Sequence, residues 1–182
     1  MKRVCVFCGS SIGNNPSFQK SAEEFGKLIA SFEYELIYGG GKAGLMGVLA
    51  DSVLSNGGKV TGIIPDFLKK HELAHKGVSK LIVADSMHSR KKKMYDMADC
   101  FIALPGGIGT MDELCEILTW QQLKIVNKPT AILNIDGYFD NLTGFFKKIA
   151  ACGFIEKEFL KRLIVSKSAK TIFKLINKQT GY

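Results

Sequence analysis

The chain has 182 residues, 46% of them apolar and 23% charged, with a formal net charge of +8. This suits one domain spanning residues 1–182 and excludes a disordered chain. The apolar stretches are strand-sized, below the roughly 18 residues of a membrane span, and the run after Met1-Lys2-Arg3 is too short for a secretory core, so a soluble cytoplasmic protein is expected.

Residues 4–8 read as a strand running into the turn Gly9-Ser10-Ser11. Cys5 and Cys8 form a C-x-x-C, but residues three apart in a strand face opposite sides, so buried structural thiols are expected and not a redox pair. With Cys100, Cys115 and Cys152 the cysteines number five, odd and scattered, which points to reduced thiols. Residues 17–32 carry Phe18, Ala22, Phe25, Leu28, Ile29 and Phe32 on one helical stripe. A strand at 35–38 ends in Gly39-Gly40-Gly41, and a helix at 45–54 is closed by Asn56-Gly57-Gly58. A strand at 60–64 stops at Pro65, residues 66–79 read as irregular, and a strand at 81–84 leads to a helix at 88–97. A strand at 100–104 ends in Pro105-Gly106-Gly107 and is followed by a helix at 110–124. A strand at 129–135, a helix at 138–150, a strand at 163–166 and a helix at 169–177 complete the chain. Such alternation predicts an α/β fold with right-handed crossovers: a mostly parallel sheet of about seven strands with helices on both faces.

Ligands of such sheets bind beyond the carboxyl ends of the strands. Three glycine-rich turns fall there: Gly9-Ser10-Ser11, Gly39-Gly40-Gly41 and Gly106-Gly107-Ile108-Gly109. Glycines let backbone N–H groups and helix N-termini approach a phosphate closely, so a nucleotide-like ligand is expected.

Other motifs admit two readings. Gly39-Gly40-Gly41-Lys42-Ala43-Gly44 satisfies G-x-G-x-x-G, with Asp66 lying 22 residues beyond. It sits on the second βα unit and its aspartate follows a proline, which weakens a dinucleotide reading. His71-Glu72-Leu73-Ala74-His75 has the spacing of a zinc site, yet it lies in an irregular stretch whose only companion histidine is His88, so no metal is expected. Ser89-Arg90-Lys91-Lys92-Lys93 is either a solvated helix face or an anion clamp, since cations are disfavoured at a helix start. Thr110-Met111-Asp112-Glu113 reads as a capping box; alternatively Glu113 is a carboxylate beside a phosphate turn, aimed at a sugar ring developing positive charge. Residues 141–182 hold nine Lys/Arg against two Glu, expected to form a solvated lysine-rich face, with nucleic-acid binding as the alternative.

Residues 105–113 fit P-G-G-x-G-T-x-x-E, and Met87-His88-Ser89-Arg90-Lys91 with Met94 fits M-H-x-R-K-x-x-M. Gly9-Ser10-Ser11, Tyr38-Gly39-Gly40-Gly41, Gly44-Leu45-Met46-Gly47, Gly62-Ile63-Ile64-Pro65, Thr119-Trp120 with Gln122-Leu123, and Gly137-Tyr138-Phe139-Asp140 match the same family. Over about residues 3–155 the chain resembles the LOG ("lonely guy") family of cytokinin riboside 5′-monophosphate phosphoribohydrolases, which older labels call lysine decarboxylase-like. The resemblance implies a Rossmann-like, doubly wound fold, a homodimer with its site near the interface, and no metal or organic cofactor. It implies hydrolysis of the N-glycosidic bond of AMP or an N6-substituted AMP to free base and ribose 5-phosphate. Carried over by position, Arg90 and Glu113 would be catalytic, and Glu72, Lys91, Gly107, Ile108, Gly109, Thr110, Met111, Asp112 and Thr119 would bind substrate. Ile108 stands where many members have Tyr, and Asp112 where many have Glu. No pyridoxal-type lysine context supports the older label. The alternative is a non-catalytic nucleotide or cofactor carrier on the same fold, which would not need both Arg90 and Glu113.

Overall fold

A computed structural model of the chain describes residues 2–70 and 73–180. Its seven strands are β1 (Arg3–Phe7), β2 (Glu35–Tyr38), β3 (Lys59–Pro65), β4 (Lys80–Ala84), β5 (Cys100–Ala103), β6 (Thr130–Leu133) and β7 (Ile164–Ser166). They form one sheet in the order β4-β3-β2-β1-β5-β6-β7, every pairing parallel. The helices are α1 (Pro16–Ser31), α2 (Gly44–Ser55), α3 (Asp66–Lys70), α4 (Met87–Met97), α5 (Ile108–Gln122), α6 (Asp140–Ala151), α7 (Lys157–Lys161) and α8 (Ala169–Thr180). The chain winds from β1 outward to β4, then returns to the other side of β1 as β5. The winding therefore reverses between β1 and β5, where such sheets open a ligand crevice.

Strand alternation sorts the core into two faces. Val4, Val6 and Cys8 pack with Phe25, Leu49 and Ile172 of α1, α2 and α8, whereas Cys5 and Phe7 pack with Met94 and Ile117 of α4 and α5. The two C-x-x-C thiols thus lie on opposite sides of the sheet, and all five cysteines are free. Ala22, Phe25 and Ile29 of the α1 stripe are fully buried, while Phe32 at its end is half exposed. The basic C-terminal segment is part of this core. Its β7 completes the sheet, and Phe173 of α8 stacks on Phe25 with centroids 5.4 Å apart. Its lysines at 167, 170 and 174 face outward, the solvated face expected of them.

Four elements here depart from the expectation. The stretch read as irregular contains α3, and α7 was not anticipated; both have five residues, too few to display a helical period. Pro65 is the last residue of β3 and not a stop before it. Pairing with β2 ends at Gly62, so Pro65 pairs only with Ala84 of β4 and breaks no central ladder. The helix expected from residue 138 starts as a 3-10 turn at Ile135–Gly137, with α6 beginning at Asp140. No helix among the described residues is long and apolar enough to cross a membrane.

Candidate active site

The order β2-β1-β5 sets the three glycine turns side by side at the carboxyl edge of the sheet. Leu104 N–H donates to Phe7 O at 2.9 Å and Gly9 N–H to Pro105 O at 3.0 Å, locking the β1 and β5 exits together. A Cβ on Gly9 would lie 3.3 Å from Gly106 Cα, so the turns meet backbone to backbone. A cleft of about 540 Å³ opens at this reversal point, bordered by Ser10, Ser11, Phe18, Leu45, Gly107 and Tyr138. Tyr138 O–H donates to Gly106 O at 2.6 Å, bracing the turn from the far side.

Next to this cleft, the first turn of α2 is already occupied. Leu45 N–H donates to Ser11 O at 3.4 Å and Met46 N–H to Gly9 O at 3.2 Å. Gly44 has φ +63°, and a Cβ there would sit 2.2 Å from the Ser10 carbonyl carbon. The last glycine of the G-x-G-x-x-G motif therefore serves loop packing, and these donors are not free for a pyrophosphate.

The start of α5 corrects the capping-box reading. The helix begins at Ile108 with Gly107 at its N-cap and no side-chain cap. Thr110 lies inside the first turn, buried, with its hydroxyl against Gly106. The first-turn N–H groups have no intrahelical partner. Around Gly107 and Gly109 an added Cβ would meet no heavy atom within 4 Å, and Ile108 is 85% exposed. The box sits on α4 instead: Ser86 Oγ accepts from Ser89 N–H at 3.1 Å, and Ser89 Oγ accepts from Ser86 N–H at 3.0 Å. A serine in place of Glu or Gln at its third position hid it from pattern reading.

That cap fixes the start of α4 and with it the direction of Arg90. Its Nε donates to Ile63 O at 3.1 Å, its Nη2 to Gly39 O at 3.4 Å, and its Nη1 lies 3.5 Å from Glu113 Oε1. Both side chains of this ion pair are about nine-tenths buried. Lys91 also turns inward, with Nζ 3.0 Å from both Asp112 Oδ2 and Glu116 Oε2. Tyr95 O–H donates to Glu116 at 2.7 Å. Lys92 points outward and pairs with Asp96. The basic run is thus half clamp and half solvated face. Glu116 was missed in the sequence; its place one turn beyond Glu113 has meaning only once α5 faces α4.

Burial pushes the Glu113 carboxyl up to about 7. Arg90 pulls it down, Asp112 pushes it up, Lys91 pulls it down and Glu116 pushes it up, but loss of water dominates. Lys91 shows the opposite balance. Burial lowers its affinity for the proton, yet hydrogen bonds to Asp112 and Glu116 more than offset this and leave it raised. A lysine held so firmly protonated is the reverse of what Schiff-base chemistry requires.

Some expected site residues do not join this group. Thr119 sits on the exposed face of α5, its hydroxyl donating to Cys115 O, about 18 Å along the helix from Gly107. Met111 packs on the cluster of Leu114, Leu118, Ile132 and Phe139. Glu72 and His71 lie outside the described residues. His75 is buried, with Nε2 2.9 Å from Asp51 Oδ1 and Nδ1 accepting from Gly77 N–H. No group of three or more His, Cys, Asp or Glu placed to hold a metal occurs among the described residues.

A family model described as "Possible lysine decarboxylase" matches residues 46–176. The chain is 46% identical over 180 residues to a probable cytokinin riboside 5′-monophosphate phosphoribohydrolase of Oryza sativa subsp. japonica, covering 99% of this chain and 79% of the relative. It is 42% identical over 173 residues to a cytokinin riboside 5′-monophosphate phosphoribohydrolase of Arabidopsis thaliana, covering 95% and 81%. Among solved structures, the Moco carrier protein of Chlamydomonas reinhardtii superposes with a TM-score of 0.75 at 19% identity, covering 100% of this chain and 98% of the other, a likeness of fold alone. With its glycine turns adjacent and its arginine and glutamate paired beside them, the chain belongs to the Lysine_decarbox, or LOG, family.

Proposed function

We propose that this protein hydrolyses the N-glycosidic bond of a nucleoside 5′-monophosphate, AMP or an N6-substituted AMP, to free base and ribose 5-phosphate. The observation that carries this reading is the buried Arg90–Glu113 pair beside an α5 N-terminus with no side-chain cap. The names of the curated relatives support it. The carrier alternative draws on fold likeness at 19% identity, which says nothing of activity.

The 5′-phosphate binds the first turn of α5, at Gly107, Ile108, Gly109 and Thr110, where backbone N–H groups and the helix dipole favour an anion. Lys91, fixed by Asp112 and Glu116, adds a nearby positive charge. Cleavage passes through an oxocarbenium-like state. The Glu113 carboxylate stabilises that charge or aligns the attacking water. Arg90 cannot release its proton, so it acts electrostatically, holding Glu113 and polarising the phosphate or the departing base. The protein works as a homodimer. The exposed face of α5 carries Ile108, Cys115 and Thr119 and is followed by exposed Leu123 and Ile125, an apolar-flanked surface that supports association through this helix.

Two expected results arise from this site. A Cβ at Gly107 meets nothing within 4 Å in the folded chain, so the melting temperature of Gly107→Val should stay near that of the wild type, while its KM for AMP rises steeply as the branched side chain blocks backbone approach to phosphate. Thermal melts and steady-state kinetics check both halves. Glu113 acts as its carboxylate, so kcat/KM, which reports the free enzyme, should climb with pH through about 7. Asp112 pushes the Glu113 pKa up, so Asp112→Asn should move that limb to lower pH, which ionisation of the substrate phosphate would not do. The reading itself is tested by incubation with AMP and with N6-isopentenyl AMP, following free base by chromatography. Base released from either supports it, and the absence of base from both overturns it.

A further inference from the structure

His75 is 5% exposed and belongs to no named helix or strand. Its backbone N–H donates to Gly40 O at 2.9 Å, and Lys42 N–H donates to Leu73 O at 2.9 Å. The segment around it thus straps antiparallel across the Gly39–Gly41 turn, with Ala74 bridged to Gly41. The imidazole fastens that strap. Gly77 N–H donates to Nδ1 at 3.1 Å, so Nδ1 is an acceptor and the ring proton resides on Nε2, which donates to Asp51 Oδ1 at 2.9 Å. Asp51 is a residue of α2, whose first turn is itself bonded to Gly9 and Ser11. The same glycine turn also holds Arg90, because Gly39 O accepts from Nη2 and a Cβ on Gly39 would lie 1.9 Å from that nitrogen.

We propose that His75 is a positioning residue: by tying the Leu73–His75 strap to Asp51, it sets the Gly39–Gly41 turn that aims the Arg90 guanidinium at Glu113. Both ring nitrogens are engaged within the protein, so His75 acts through the turn and does not touch substrate. The proposal rests on the phosphoribohydrolase reading for its kinetic consequence, but its structural consequence can be read without turnover.

His75→Ala removes both ring bonds and should lower kcat for AMP by about tenfold or more, with KM moving far less, since small displacements of a catalytic group carry costs of this order. His75→Gln, whose amide N–H can donate to Asp51, should restore most of the rate. In ¹⁵N NMR spectra of the full chain, the Arg90 Nε–H signal should shift or exchange faster in His75→Ala and return toward its wild-type position in His75→Gln. A purely structural histidine would lower the melting temperature while leaving kcat of the folded enzyme and the Arg90 signal in place. That result, in His75→Ala or, should that variant not fold, in Asp51→Ala, would overturn the proposal. Asp51 is 67% exposed, so its replacement releases the ring without opening a core cavity. A wild-type protein that releases no base would defeat the phosphoribohydrolase reading, and the Arg90 signal would still decide the role of His75.

Discussion

Glu113→Gln should fold with a melting temperature within a few degrees of the wild type and lose about 100-fold or more in rate, because removing one aimed electrostatic group commonly costs about 3–4 kcal/mol in the transition state. A capping role offers no rival explanation, since the N-cap position of α5 is Gly107 and Glu113 lies well inside the helix. Two effects of the substitution on stability oppose each other. The variant no longer buries a carboxylate, but it leaves the buried Arg90 charge without a counter-ion, facing a neutral amide oxygen and the Ile63 and Gly39 carbonyls. Arg90→Lys is the companion variant. Lysine keeps the charge, yet its single nitrogen cannot reach Ile63 O, Gly39 O and Glu113 together as the planar guanidinium does. It should be nearly as inactive. Calorimetry and single-turnover rates on the same preparations separate a folding defect from a catalytic one.

Gly39→Ala should likewise cost about 100-fold in rate without unfolding the protein, since misplacing a catalytic group by about 1 Å can carry that cost. The new Cβ would lie 1.9 Å from Arg90 Nη2 and 3.2 Å from its Cζ, so the guanidinium must leave its place opposite Glu113. The displaced atoms are the end of a flexible side chain, so the fold yields there at small cost. Gly44→Ala provides the contrast. Its Cβ would strike the Ser10 and Ser11 backbone at 2.2–2.3 Å, in a residue already at φ +63°, and there the protein itself should lose stability. A Gly39→Ala enzyme with wild-type kcat would show that the position of Arg90 is immaterial.

The strands were legible in the sequence as short apolar runs ended by glycine and proline turns, and α1 by the helical period of its apolar stripe. Their order in the sheet was not, and only that order brings the turns after β2, β1 and β5 together. The T-x-x-E pattern at Thr110 misled because it is blind to where a helix begins; the glycines at 106 and 107 end the turn early and start α5 two residues sooner than expected. The run Arg90-Lys91-Lys92 has uniform polarity, so the inward turn of its first two members was hidden until Glu113, Asp112 and Glu116 appeared opposite them. The tie between His75 and Asp51 joins residues 24 positions apart through a loop without periodicity, and no local pattern announces it.

The most direct test of the central claim is the rate of adenine release from AMP set against that from adenosine, with wild type and Glu113→Gln measured side by side. The expected result is rapid release from AMP, release at least about 100-fold slower from adenosine because the α5 anchor for phosphate goes unused, and near-complete loss of both rates in the variant. Equal turnover of AMP and adenosine, or wild-type release of base by Glu113→Gln, would contradict it.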